Sequence, residues 1–352
     1  MTAPTPWHDA PLILFDGACG TTLQQMQLDA AAWEGHEGCN EILNLTAPDA
    51  IMAMHQAFIE AGARVIETNT FGANRLVLGE YGLADRVAAI NEAAVAHARC
   101  AAGARGDVAV CGSIGPGTKL ALLGQVDVDS LAAATTEQVR VLVESGVDLL
   151  LFETCQDLLQ IKTALVACFD ELRRLDRPLP VLVSVTVEST GTLLAGSDLE
   201  TVAATLAPFP LFSLGLNCAA GPDELAGPVT ALSRLWPGRI SVMPNAGLPV
   251  LRQGRTHYPL DPEAFAAATA RFVRDLGVSV VGGCCGTTPA HVAALRRALA
   301  GIQPAPRALP PPTPAVTSAY AVYPLHPEIP PFLIGERLNA NGSKAFRDCL
   351  LA

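Results

Sequence analysis

The chain has 352 residues, half of them hydrophobic and 16% charged, enough to bury the core of one barrel-sized domain or of two ordinary ones. Disorder over most of the length is thereby excluded. A formal net charge of -11 with no run of Lys and Arg argues against nucleic acid or an anionic membrane as partner.

The opening residues MTAPTPWHDA carry no positive charge, and the apolar run Leu12 to Phe15 stops at Asp16, so no leader is expected. No segment approaches the ~20 apolar residues of a membrane span, and a cytoplasmic protein is the expectation. LILFDG (12–17) is the first predicted strand. Thr46, Pro48 and Asp49 then open a helix to Ala61, with Gly62 as its stop. RVIETNT (64–70) and VAVCGSIG (108–115) are the next two strands, and Asp129 begins a helix through Glu144 that ends at Gly146. VDLLLFET (147–154), VLVSVTV (181–187), LFSLGLNC (211–218) and ISVMPNA (240–246) follow as strands separated by amphipathic stretches. Asp261 and Pro262 open a helix ending at Gly277, VSVVGGCC (278–285) is the last strand, and Pro289 starts a helix through Ala300.

Near-continuous apolar strands suit a parallel sheet covered on both faces. Eight such strands, each followed by helix, predict an α/β fold, a (β/α)8 TIM barrel over residues 1–302. An open doubly wound sheet is the alternative, but no G-x-G-x-x-G follows the first strand. Residues 303–332 are rich in Pro and read as a semi-rigid linker unable to hold regular helix or central strand. Residues 333–352 look like the start of another folded unit.

Of ten cysteines, Cys19, Cys39, Cys100, Cys111, Cys155 and Cys168 are scattered singly and read as small core hydrophobes. Cys218, Cys284 and Cys285 differ, because they end the sixth and eighth predicted strands, where barrel chemistry sits. Adjacent Cys284 and Cys285 cannot both reach one ion from a regular strand, but they can from a turn just past it. Gly282, Gly283 and Gly286 give that turn its backbone freedom. Three thiolates favour zinc with an open fourth position. Ordinary buried thiols or a vicinal disulfide remain the other reading of these three residues. Zinc with three thiolates is a poor Lewis acid for hydrolysis, yet it can strip the proton from an incoming thiol, which suits S-alkylation.

NCAAGPDEL (217–225) and GGCCGTTPAHV (282–292) resemble the two zinc-binding motifs of the homocysteine S-methyltransferase family. FDGACGTTLQ (15–24), ETNTFGANR (67–75), GSIGPG (112–117), FETCQD (152–157) and PNAGLP (244–249) resemble its other strand-end motifs, in order. The resemblance implies a zinc barrel that methylates homocysteine to methionine, with Cys218, Cys284 and Cys285 as metal ligands. It makes Asn245 a weak oxygen ligand when substrate is absent, and assigns Asp16 and Glu153 to the substrate ammonium. Gly17 and Ser113 belong to the implied substrate-binding set. The glycines of GSIGPG offer backbone N–H groups to a substrate carboxylate, though a tight turn alone also explains them. Glu67, near a strand end, reads as structural. HEGCNEILNLTAPDAI (36–51) and IGERLNANGSKAFR (334–347) resemble the cobalamin-dependent methionine synthases, the second matching the opening of their folate-binding domain. The implied donor is methylcobalamin carried by another domain, and the implied partners are the cobalamin- and folate-binding modules of the same enzyme. A stand-alone methyltransferase using a sulfonium or betaine donor and a non-enzymatic zinc module are the rival readings.

Overall fold

The structure, a computed structural model, describes residues 7–103, 106–252, 255–309, 311, 313–326 and 339–351. Its strands are β1 (Ile13–Leu14), β2 (Val65–Glu67), β3 (Ala109–Ile114), β4 (Leu149–Cys155), β5 (Val181–Val185), β6 (Ser213–Asn217), β7 (Arg239–Met243), β8 (Val250–Arg252), β9 (Arg255–His257), β10 (Val280–Val281), β11 (Ala315–Thr317) and β12 (Val322–Pro324). The α-helices are α1 (Cys19–Gln25), α2 (Leu43–Thr46), α3 (Pro48–Ala61), α4 (Arg75–Glu80), α5 (Val87–Ala102), α6 (Val128–Ser145), α7 (Leu158–Arg174), α8 (Leu199–Leu206), α9 (Pro222–Leu235), α10 (Pro262–Leu276), α11 (Pro289–Ala298) and α12 (Lys344–Leu351).

Eight strands pair in parallel in the order β1-β10-β7-β6-β5-β4-β3-β2. A parallel bridge between Phe15 and Val65 closes β1 onto β2, so the sheet is a barrel with all eight predicted strands in place. The helices start and stop where side chains satisfy their free ends. Asp157 accepts from two backbone N–H groups of α7, and Asp261 from two of α10. Gly62, Gly146 and Gly277 end α3, α6 and α10 in the left-handed region, with φ of 114°, 96° and 71°. The cap of α6 is Asp127, two residues before the expected Asp129, because its carboxylate reaches the Ser130 N–H at 2.7 Å.

Alternation along the strands sorts the core into two layers. Ile13, Phe15, Val65, Ala109, Cys111, Leu149, Leu151, Leu182, Met243 and Val280 form a cluster inside the barrel. Their neighbours Leu14, Ile66, Val110, Leu150, Val181, Val183, Val242 and Val281 pack outward against the helices. The interior is tight: a Cβ added at Gly215 would lie 2.1 Å from the Ser241 carbonyl oxygen.

The β8–β9 hairpin, inserted between β7 and α10, was not expected from the sequence. The Pro-rich segment keeps out of the barrel sheet, as its lost donors require, yet its described residues lie against the barrel. Ala305 N–H donates to the Val273 carbonyl at 3.0 Å, and Arg307 donates to the carbonyls of Trp236 and Gly238. Among the described residues β11 and β12 pair only with each other, and Thr205 Oγ1 and Ser197 Oγ hold them beside α8. Residues 333–338 of the expected second unit lie outside the described residues, and α12 follows them. Among the described residues no helix is long and apolar enough to cross a membrane.

Candidate active site

The inward register of the barrel interior continues past the strand ends and selects the side chains of its mouth. Residue 67 follows Val65, Ser113 follows Cys111, Glu153 follows Leu151, Asn217 follows Gly215 and Asn245 follows Met243, each two residues on. Glu153, 8% exposed, is clamped by Ser113 Oγ, which donates to Oε1 at 2.5 Å, and by Asn217 Nδ2, which donates to Oε2 at 3.1 Å. Behind it the β4–β5 register shifts between Phe152 and Cys155, and Thr154 sits at φ 57°. A β-branched residue in that region costs on the order of 1–3 kcal/mol. Asn217 holds it there, its Oδ1 accepting the Thr154 N–H at 2.8 Å and its Nδ2 donating to Thr154 Oγ1 at 2.9 Å.

Asp16 is buried beside this group, with Oδ2 accepting the Glu67 N–H at 2.9 Å and Oδ1 without a partner. Glu67, read as structural from the sequence, lines the cavity. Burial pushes the Asp16, Glu67 and Glu153 carboxyls all above the usual range, and the charge of Glu153 adds to the rise at Asp16 and Glu67. Among the described residues lining the cavity there is no Lys or Arg, so this pocket favours a cation in its occupant.

The cysteines arrive from two turns. β6 ends at Asn217, and Cys218 and Ala219 turn the chain with φ of 61° and 55°. β10 ends at Val281, and Cys284 and Cys285 follow in the expected turn. Of the three glycines there, only Gly286 needs a left-handed backbone, at φ 79°. Gly282 and Gly283 are needed for space, since a Cβ would lie 2.8 Å from Phe15 Cβ and 2.3 Å from Thr287 Oγ1 respectively. The end of β7 stitches both turns together. Pro244 O accepts the Cys284 N–H at 2.8 Å, the Ala246 N–H donates to Cys285 O at 2.9 Å, and the Asn245 N–H donates to Ala220 O at 3.0 Å.

The three sulfurs lie within 4.8 Å of one another, with Cys218 Sγ and Cys285 Sγ 4.0 Å apart, and all three are free thiols. Tetrahedral zinc with Zn–S bonds of about 2.3 Å sets sulfurs about 3.8 Å apart, so the cluster fits that ion with little movement. The Asn245 side chain is buried with its Oδ1 unpartnered, a neutral oxygen donor in keeping with the same fit. Cys19 also lines the cavity, but it donates to Asn69 Oδ1 at 3.3 Å, and burial pushes its thiol well up.

A cavity of about 1180 Å³ opens onto this group, lined by Gly17, Ser113, Glu153 and the three cysteines. Asp16 and Asn245 stand behind its wall. Gly17 has no room for a side chain, since a Cβ would lie 2.7 Å from Thr287 Oγ1. The Gly115 N–H, one of the glycine donors expected to face a carboxylate, is engaged by Phe71 O at 2.8 Å, and the neighbouring Ser113 N–H by Thr68 Oγ1 at 3.2 Å. Asn217 and Tyr258 are residues of this candidate site that sequence reasoning passed over, and Glu67 is one it set aside. The register of two would have flagged Asn217 and Glu67; Tyr258 follows the unforeseen β8–β9 hairpin and packs on Gly286 beside Cys285.

The model of the family described as homocysteine S-methyltransferase matches residues 13–299. Methionine synthase of Mycobacterium tuberculosis (strain ATCC 25618 / H37Rv) is 44% identical over 341 residues, which cover 96% of this chain and 28% of that protein. Methionine synthase of Mycobacterium leprae (strain TN) is 43% identical over 345 residues, covering 96% and 29%. The chain thus spans a little over a quarter of the length of these curated relatives. The metallated form of the homocysteine methyltransferase MmuM from Escherichia coli has the same fold, with a TM-score of 0.65 at 24% identity over 82% of this chain and 96% of that one.

Proposed function

The chain belongs to the homocysteine S-methyltransferase family, and from that premise we propose that it activates the thiol of homocysteine on zinc and accepts a methyl group there to give methionine. The observation that carries this reading is the meeting, in one cavity, of three clustered thiols with buried carboxylates that have no lysine or arginine beside them among the described lining residues. Cys218, Cys284 and Cys285 would hold the zinc, with Asn245 Oδ1 as a neutral fourth donor in the absence of substrate. When bound, zinc supplies the Lewis acidity that keeps a substrate thiol in its nucleophilic thiolate form at neutral pH.

The remaining work falls to the chain's own side chains. Glu153, held by Ser113 Oγ and Asn217 Nδ2, takes the substrate ammonium together with Asp16, whose Oδ1 has no other partner. An arriving ammonium favours the charged forms of these carboxyls and offsets the desolvation that raises them. Orientation by a fixed carboxylate brings the substrate sulfur to the cysteine cluster rather than leaving it free in a wide cavity.

The methyl donor we assign is methylcobalamin carried on another module of a longer enzyme. The share of the methionine synthases that this chain spans and the IGERLNANGSKAFR sequence at 334–347 support that reading. On it, residues 1–302 are the homocysteine-binding barrel, 303–332 a linker and 333–352 the first part of a folate-binding domain. The test is to supply the purified chain with homocysteine and one donor at a time. Methionine is expected from free methylcobalamin at high concentration, slowly, because a tethered cofactor's effective concentration of about millimolar is missing. None is expected from methyltetrahydrofolate. Efficient turnover from a sulfonium donor with none from methylcobalamin would overturn the donor assignment.

A further inference from the structure

Asn217 joins the two halves of the site. Its Oδ1 faces the Thr154 N–H, which can only donate, and this fixes which end of the amide is which. Nδ2 therefore points at three acceptors: Thr154 Oγ1 at 2.9 Å, Glu153 Oε2 at 3.1 Å and Cys284 Sγ at 3.9 Å. An amide nitrogen carries two protons, so three acceptors compete for them. The residue is 1% exposed, and no solvent proton replaces the one withheld. It is also fixed from behind, where its backbone carbonyl accepts from Thr186 Oγ1 at 3.0 Å.

We propose that Asn217 is a positioning residue that couples the ammonium-binding carboxylate Glu153 to the metal-binding sulfur of Cys284. A proton donated to Glu153 is withheld from the sulfur, and one donated to the sulfur leaves Glu153 to its other partners. Occupancy of the ammonium subsite is thereby felt at the metal centre. This inference rests on the zinc and homocysteine assignments made above.

A merely structural role is the rival, in which Asn217 only braces the left-handed Thr154. The two separate by experiment. In Asn217→Ala the chain is expected to keep one zinc and to bind homocysteine about ten- to a hundredfold more weakly, the loss typical of a hydrogen bond to a charged group. In the cobalt(II)-substituted protein the sulfur-to-cobalt charge-transfer band is expected to move, since a donor near Cys284 is gone. The Asn217→Ala/Thr154→Gly pair then removes the need for a brace, because Gly adopts a positive φ freely. Affinity that stays weak in this double variant supports coupling. Recovery to the wild-type value overturns it and leaves Asn217 a brace. Should Asn217→Ala not fold, Asn217→Ser is read by the same two measurements. Unchanged affinity and an unmoved cobalt band in a folded variant also overturn the inference. Wild-type chain that binds neither zinc nor homocysteine would instead sink the functional reading itself.

Discussion

Glu153→Gln removes one charge from the site while sparing its shape. In the wild-type chain one carboxylate oxygen accepts from Ser113 Oγ at 2.5 Å and the other from Asn217 Nδ2 at 3.1 Å. A glutamine fits with its Oε1 toward Asn217 and its Nε2 toward Ser113, whose hydroxyl rotates to accept. The fold and the zinc content should therefore be unchanged. What is lost is the charge-assisted contact to the substrate ammonium, worth roughly 1.5–3 kcal/mol, or about ten- to a hundredfold in affinity. Glu153 is 8% exposed, so salt screens little of that loss. The pH dependence carries a second signature. Burial raises the Glu153 carboxyl, and its charged form binds the ammonium, so wild-type affinity should increase as pH rises through the raised titration. In the variant the carboxyl's share of that rise should vanish, leaving only the rise due to ionisation of the substrate thiol. Calorimetric titration of the zinc-loaded protein with homocysteine across several pH values reads both effects. Equal affinity in the two proteins would remove Glu153 from the ammonium site.

Other expectations concern stability. Arg174 and Arg140 hold Glu171 down to about 2, with nitrogen–oxygen distances of 2.7 and 2.6 Å. A folded value below the unfolded one, about 4.3, stabilises the chain above that pH and is lost as pH falls toward 2. The arginines are 55% and 44% exposed, so after solvent screening Glu171→Gln should cost about 1–2 kcal/mol at pH 6, a gap that narrows between pH 5 and pH 3. A gap independent of pH would contradict the ion-pair account. Gly215→Ala puts a methyl against the Ser241 carbonyl inside the barrel and should cost about 3 kcal/mol, lowering Tm by about 4 °C. A Tm within a degree of wild type would show that the interior yields more easily than its packing implies. Arg307→Ala removes donors to the Trp236 and Gly238 carbonyls at the amino-terminal ends of the strands, and should cost about 1–3 kcal/mol without altering homocysteine affinity. Lost affinity there would mean that the tail acts on the mouth.

The barrel was legible because each strand is a short apolar run ended by glycine or polar residues, and because Pro48, Asp261 and Pro262 mark helix starts that the structure keeps. Cys218, Cys284 and Cys285 stood out by their places at strand ends, and the family resemblance is what named them as metal ligands. Other features depend on departures from regularity that no residue type announces. The bulge at Thr154 and the left-handed turn at Cys218 decide what Asn217 touches, and neither site carries a glycine. Glu67 was set aside although its alternation with Val65 directs it inward. The β8–β9 hairpin is three residues per strand and carries Leu251 at 77% exposure, too short and too exposed for an alternating pattern to show. The Pro-rich segment reads as a linker in composition, while its attachment depends on Arg307 meeting carbonyls on α9 and the turn into β7.

The central claim is that Cys218, Cys284 and Cys285 hold a zinc that receives the substrate sulfur. Zinc-edge X-ray absorption on the purified, zinc-loaded chain, with and without homocysteine, tests it most directly. The account predicts three sulfur neighbours alone, rising to four with homocysteine, and loss of the site in Cys284→Ala. Fewer than three sulfurs, or a count that homocysteine does not move, would contradict it.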